Sequence, residues 1–236
     1  MILFSRKKMY LIFLLLLTFL LLPQCGLHSF PHLEPPSVQR IGLEIFYITN
    51  TNDNPDIFRG YELFYKFHHH SDTSGIANDI RDISSFTQPD PRPLFTRTRR
   101  FFRVNTAPDT QSPPTGTPNI FLGTGQRHEG FTIEINFEGI NTSSAVNFNP
   151  TLRYSNQNIL LFRDVTNPDN TDNPTLYYKS FGHLRNINTA VRDADLSPGN
   201  DYHITLYLWI FARGIYNNTP IFSKAVELGN ITYLRS

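Results

Sequence analysis

The chain has 236 residues, 21 Lys+Arg against 20 Asp+Glu, and a formal net charge of +1. A balance this close to neutral lacks the basic footprint of a nucleic-acid binder. Its single cysteine cannot close an internal disulfide, which sets the chain apart from small disulfide-stapled secreted domains.

Arg6, Lys7 and Lys8 precede an apolar run from Met9 to Leu22, 14 residues in which Thr18 alone is clearly polar. A membrane-spanning helix needs about 20 apolar residues, so this run suits the apolar region of a secretory signal instead. It ends Leu22-Pro23-Gln24-Cys25-Gly26, with no Ala-x-Ala cleavage site. A free thiol in an exported protein is a liability unless it is used. The opening segment is therefore expected to be a signal, and without residues 1–24 the chain has 18 Lys+Arg against 20 Asp+Glu. A plain signal with an incidental cysteine, or an uncleaved anchor, is the competing reading.

Residues 25–40, with three prolines, read as the cysteine and its tether. Residues 41–49 read as a strand and 49–56 as a dense turn. In 57–70, Tyr61, Leu63, Tyr65 and Phe67 share one face of a long strand, and Glu62, Phe64 and Lys66 share the other. Ile76, Ile80 and Ile83 stand at helical spacing and predict a short helix over 75–86. Residues 94–104 read as a strand, the four prolines of 105–119 as a loop, and 120–124 as a short strand. In 131–139, Phe131, Ile133, Ile135 and Phe137 alternate with polar residues, the mark of a half-buried strand. Further strands are expected over 158–165, 175–184, 202–213 and 220–234, separated by a turn at 166–174 and a connection at 186–196.

Aromatic residues make up 14% of the chain, and asparagine and proline crowd the turns. Strands punctuated in this way predict an all-β antiparallel sandwich. Residues 41–236 are read as one elaborated sandwich domain with an insertion over about 71–150. Two tandem sandwiches, split near 110–130, are the alternative.

Two stretches carry a resemblance to fibronectin type III domains. Leu196-Ser-Pro198-Gly199-Asn-Asp-Tyr202-His-Ile204-Thr-Leu206 resembles that family's tyrosine corner, and Gly60-Tyr-Glu-Leu-Phe-Tyr65 resembles its third strand. The resemblance implies an immunoglobulin-like sandwich in which Tyr202 bonds back to the corner and Ile204 and Leu206 enter the core. The family's tryptophan on the second strand is missing, because the chain's only tryptophan is Trp209. Leu22-Pro23-Gln24-Cys25 resembles the lipobox of bacterial lipoproteins in the loose form found in spirochaetes. That likeness implies acylation of Cys25, by palmitate or a similar chain, after cleavage before it. The whole chain resembles lipoproteins of pathogenic spirochaetes such as Leptospira, which implies a cell-envelope location and no particular chemistry.

Arg92, Arg97, Arg99, Arg100 and Arg103, interleaved with Phe95, Phe101 and Phe102, form the densest cationic stretch, and no acid lies between Asp90 and Asp109. Arginine forks match sulfate and phosphate oxygens, so this is the candidate polyanion-binding segment, against the plainer reading of a charged sheet edge. His68 and His70 share a strand face and would need a third ligand such as His128 or His183 to hold zinc or copper. A solvated strand end explains them as well, and no metal site is assigned. The Asp/Asn-rich turns at 50–56 and 164–173 do not match a calcium loop and read as Asx turns. Asn141, Asn217 and Asn230 open sequons in form.

The common nucleophile, zinc and P-loop motifs are missing, so no enzyme, no catalytic residue and no cofactor is expected. A carboxylate pair of the glycosidase kind leaves no motif and would show only in the fold. The expected function is a lipid-anchored binding module of the cell envelope, exported and placed at the outer membrane. Its partners would be the membrane, through the lipid, and a host matrix protein or anionic glycan if it is a surface adhesin. No nucleic acid is expected. The alternative is a periplasmic structural or assembly lipoprotein without a host ligand.

Overall fold

A computed structural model describes residues 31–52, 54–106, 120–121, 131–140, 148–154, 157–165, 177–179, 181 and 203–234. One compact unit spans His32–Ser236, and another, Met1–Pro31, lies outside the described residues except for Pro31. Among the described residues no helix is long and apolar enough to cross a membrane.

Two antiparallel sheets face each other. In the smaller, β1 (Ser37–Ile41), β2 (Ile45–Thr49), β6 (Thr132–Asn136), β7 (Thr151–Tyr154) and β8 (Gln157–Leu160) lie in that order. In the larger the order is β10 (Tyr177–Lys179), β9 (Phe162–Val165), β4 (Phe102–Asn105), β3 (Phe58–His69), β11 (His203–Tyr216) and β12 (Thr219–Phe222). There, β13 (Val226–Leu234) also pairs with β11, and β5 (Ile120–Phe121) with β3. The all-β expectation holds at this level.

Period-two alternation builds the core. Tyr61, Leu63, Tyr65 and Phe67 of β3 and Ile204, Leu206, Leu208 and Ile210 of β11 meet Phe46, Ile48, Ile133, Ile135 and Leu152 of the smaller sheet. Each such side chain, removed from water, contributes roughly 1.5–3 kcal/mol. Ile204 and Leu206 are buried as expected, whereas Leu196, Pro198, Gly199 and Tyr202 of the tyrosine-corner pattern lie outside the described residues.

Several expectations need correction. Residues 41–49 are not one strand: Ile41 ends β1, which begins at Ser37, the chain turns at Gly42, whose φ is +65°, and β2 takes 45–49. Leu33 is buried in the core, and Asn52 holds both backbone polar groups of Glu34 (Glu34 N to Oδ1 2.9 Å, Nδ2 to Glu34 O 2.9 Å). The tether is therefore shorter than 25–40. β6, inside the expected insertion, lies between β2 and β7 in the smaller sheet. Residues 158–165 are two strands, not one. At Leu161 the chain leaves β8 and enters β9 in the other sheet, and the Leu161 side chain takes the core position between them. The Leu161 N–H stays satisfied by Pro150 O at 2.8 Å. Strands β2–β6 and β3–β11 pair across the 110–130 region, which rules out two tandem sandwiches.

Gly229 shows why some positions admit only glycine. Its φ is +141°, and a Cβ there would stand 2.9 Å from the Phe46 ring. β11 and β12 are joined by Asn217 and Asn218, both at positive φ, as a twist-matched two-residue hairpin requires.

Candidate functional site: the covered face of the large sheet

The outer faces of β3 and β11 carry a row of cross-strand partners: His68 opposite Thr205, Lys66 opposite Tyr207, Phe64 opposite Trp209, and Glu62 opposite Phe211. This face is not left to solvent. Helix α1 (Thr73–Ser84) and a single π-helical turn (Leu94–Thr98) lie on it. Ile83 of the helix, Phe95 and Phe101 join Phe64, Trp209 and Phe211 in a second apolar cluster. Phe95 stands 5.1 Å from both Phe64 and Phe101, centroid to centroid.

The strand expected over 94–104 is therefore a π-helical turn followed by the short β4. Phe95 and Phe101 must both point down onto the sheet, and the turn between them folds the chain back (Phe101 N to Phe95 O, 2.7 Å). Arg100, at φ +55°, carries the reversal.

Three of the five arginines of this segment are held inside the structure. Arg92 grips Asp90 with two parallel bonds (Nε–Oδ1 2.9 Å, Nη2–Oδ2 2.7 Å) and stacks 4.6 Å from the Phe222 ring centre. Burial pushes the Asp90 carboxyl up, but the bonds from Arg92 outweigh it and hold the group below its ordinary value. Arg103 reaches Glu62 at 2.9 Å, and Arg213 reaches the other oxygen of the same carboxylate at 2.5 Å. Arg99 pairs with Asp82 and, at 3.6 Å, with Asp79. Arg97 and Arg100 alone are exposed and without an ion-pair partner among the described residues. The segment is thus mostly a clamp for the cover, with two arginines left facing outward.

His68 is no solvated strand end. It is 4% exposed, with Nε2 3.1 Å from Asp79 Oδ2 and Nδ1 3.4 Å from Asp72 Oδ2. Lys66 Nζ lies 2.5 Å from the same Asp79 oxygen. Asp79 sits on α1, so one carboxylate fastens the helix to two side chains of β3. Burial pushes the Asp79 carboxyl up, while hydrogen bonds and charge from His68 and Lys66 pull it further down, to a net lowering. Asp72 caps α1 by accepting from Gly75 N at 3.0 Å, the chief cause of its own lowered carboxyl value. His70, one step past the cover, is exposed and faces His203. His128 and His183 lie outside the described residues, as does Cys25.

The turn at 50–56 is held by asparagines, as expected: Asn50 Nδ2 donates to Asn52 O at 2.7 Å, and Tyr61 donates to Asn50 Oδ1 at 2.6 Å. Glu62, Asp72, Asp79 and Asp90 are the residues that sequence reasoning missed. Asp72 alone left a local signal, an N-cap residue just before an apolar helical pattern. No family model, no curated protein and no solved structure matches the chain.

Proposed function

We propose that the chain is a lipid-anchored module of the bacterial cell envelope that acts by binding rather than catalysis. The observation that carries this is the placement of the lone Cys25, at the end of an apolar leader and eight residues before Leu33, the first described core residue. With Cys25 acylated, that spacer would reach at most about 28 Å, keeping the sandwich against the membrane surface. The strand order supports an immunoglobulin-like or fibronectin type III-like sandwich. β1 pairs with β2 and β2 with β6, while β3 pairs with β11 and β11 with β13, the A-B-E over C-F-G arrangement. The step from such a sandwich to a binding role is analogy. Against catalysis stands the use of the two buried acids among the described residues: Glu62 and Asp79 are each clamped by cationic side chains. The outward surface offered to an anionic glycan narrows to Arg97 and Arg100.

The test expresses wild type and Cys25→Ala in the native cell, labels with palmitate, and treats intact cells with protease. Label in wild type only, with the domain digested, is the expected result and identifies a surface lipoprotein. Label with the domain protected would replace the adhesin reading by a periplasmic assembly role. Absence of label in both would overturn the lipid anchor.

A further inference from the structure

At the end of the central strand pair, β3 and β11 place two histidines directly opposite each other. The register runs Thr205 opposite His68 and Ile204 opposite His69, and His70 N donates to His203 O at 3.1 Å, which carries the pairing one step further. The backbone therefore fixes both Cα positions. His70 lies two residues beyond His68, so it shares His68's face of the sheet. The rings stand 5.9 Å apart, centre to centre, at 69°, and both residues are exposed.

This spacing is within reach of a two-imidazole chelate. A metal–nitrogen bond of about 2.0–2.1 Å puts each ring centre roughly 3.2 Å from the ion. Two such rings are then roughly 5.2 Å apart at a tetrahedral angle and about 4.5 Å apart at the right angle of a tetragonal Cu²⁺ site, so the pair at 5.9 Å needs to draw together by about 1 Å. Small χ rotations span that range without moving the strands. Directly opposite cross-strand residues have Cβ atoms only about 4.5–5.5 Å apart, so the chelate adds no backbone distortion. Exposure leaves the remaining coordination positions to water or to a ligand from a partner. His68, which sequence alone pairs with His70, is turned away into its contacts with Asp79 and Asp72.

We propose that His70 and His203 form a surface site for a divalent transition-metal cation, with Cu²⁺ preferred over Zn²⁺ in line with the general order of affinities for nitrogen ligands. Two imidazoles and solvent make an open site, suited to capture of the ion or to bridging toward a partner. The site also joins the ends of β3 and β11, so occupancy stabilises the folded sheet.

The experiment uses the untagged full-length chain in detergent, titrated with CuCl2 and, separately, ZnCl2. One equivalent of Cu²⁺ should bind with an electron paramagnetic resonance spectrum showing two coordinated nitrogens. His70→Gln and His203→Gln should each show one nitrogen and lose about tenfold or more in affinity, since each removes half the protein's ligand set. Zn²⁺ should raise the melting temperature of wild type and of neither variant. Both positions are exposed, so both variants should keep the wild-type Trp209 fluorescence. His128→Gln and His183→Gln should bind as wild type. Equal binding by wild type and the His70 and His203 variants, loss of binding in His128→Gln or His183→Gln instead, or no binding at millimolar metal would each overturn the assignment.

Discussion

Replacing Asp79 by alanine should loosen the cover of the large sheet. The carboxylate is 5% exposed and faces Lys66, His68 and Arg99. Lys66 and Arg99 are 22% and 23% exposed and can turn toward water, whereas His68 at 4% cannot. One short charge-assisted bond, from Lys66, is lost, the buried His68 ring loses a partner and Arg99 loses a longer ion pair, a loss of about 3 kcal/mol. For a domain of this size that lowers Tm by roughly 6–12 °C. The chain's only tryptophan, Trp209, lies beneath this cover, 6.3 Å from Phe95, so urea unfolding can be followed by its fluorescence. Because the Asp79 carboxyl is lowered in the fold, its contribution is present at neutral pH and is lost as pH falls below the ordinary carboxylate value of 3.8. Wild type and Asp79→Asn should therefore differ at pH 7 and converge as pH falls through the lowered carboxyl value. A cost under about 0.5 kcal/mol at pH 7, or a gap unchanged at low pH, would refute the electrostatic account.

Two further expectations concern the same face. Glu62→Gln weakens the acceptor shared by Arg103 and the buried Arg213, and should destabilise by about 3 kcal/mol in the same urea assay, while Glu62→Asp should recover part of it. If heparin, as a model polyanion, binds the chain, Arg97→Ala with Arg100→Ala should reduce the slope of log affinity against log salt by about 2, and identical slopes would remove these arginines from the binding surface.

The core was largely legible, because a buried face repeats every second residue. Tyr61, Leu63, Tyr65 and Phe67 announce themselves in sequence, as do Ile133, Ile135 and Phe137. The cover was not. The other face of β3 reads Glu62, Phe64, Lys66, His68, which looks solvated until each polar group finds its partner. Those partners are remote: Arg103 is 41 residues from Glu62 and Arg213 is 151. Sequence chemistry says that an arginine beside aromatic rings wants a carboxylate, but not which one. The bend at Leu161 was hidden for a related reason, since an unbroken apolar run looks the same whether it stays in one sheet or crosses to the other.

The pairing of β3 with β11 also sets the order of events in folding. Glu62 and Arg213 sit on neighbouring strands and are joined only after a loop of 151 residues has closed. Such closure is slow, because its entropy must be overcome before any non-local contact rewards it. During synthesis β3 can meet β4 and β5 early, but its other edge has no partner until β11 has emerged. On the proposed export route this delay would be useful: the chain would reach the translocation channel before β3 could pair with β11, and the sandwich would close on the far side.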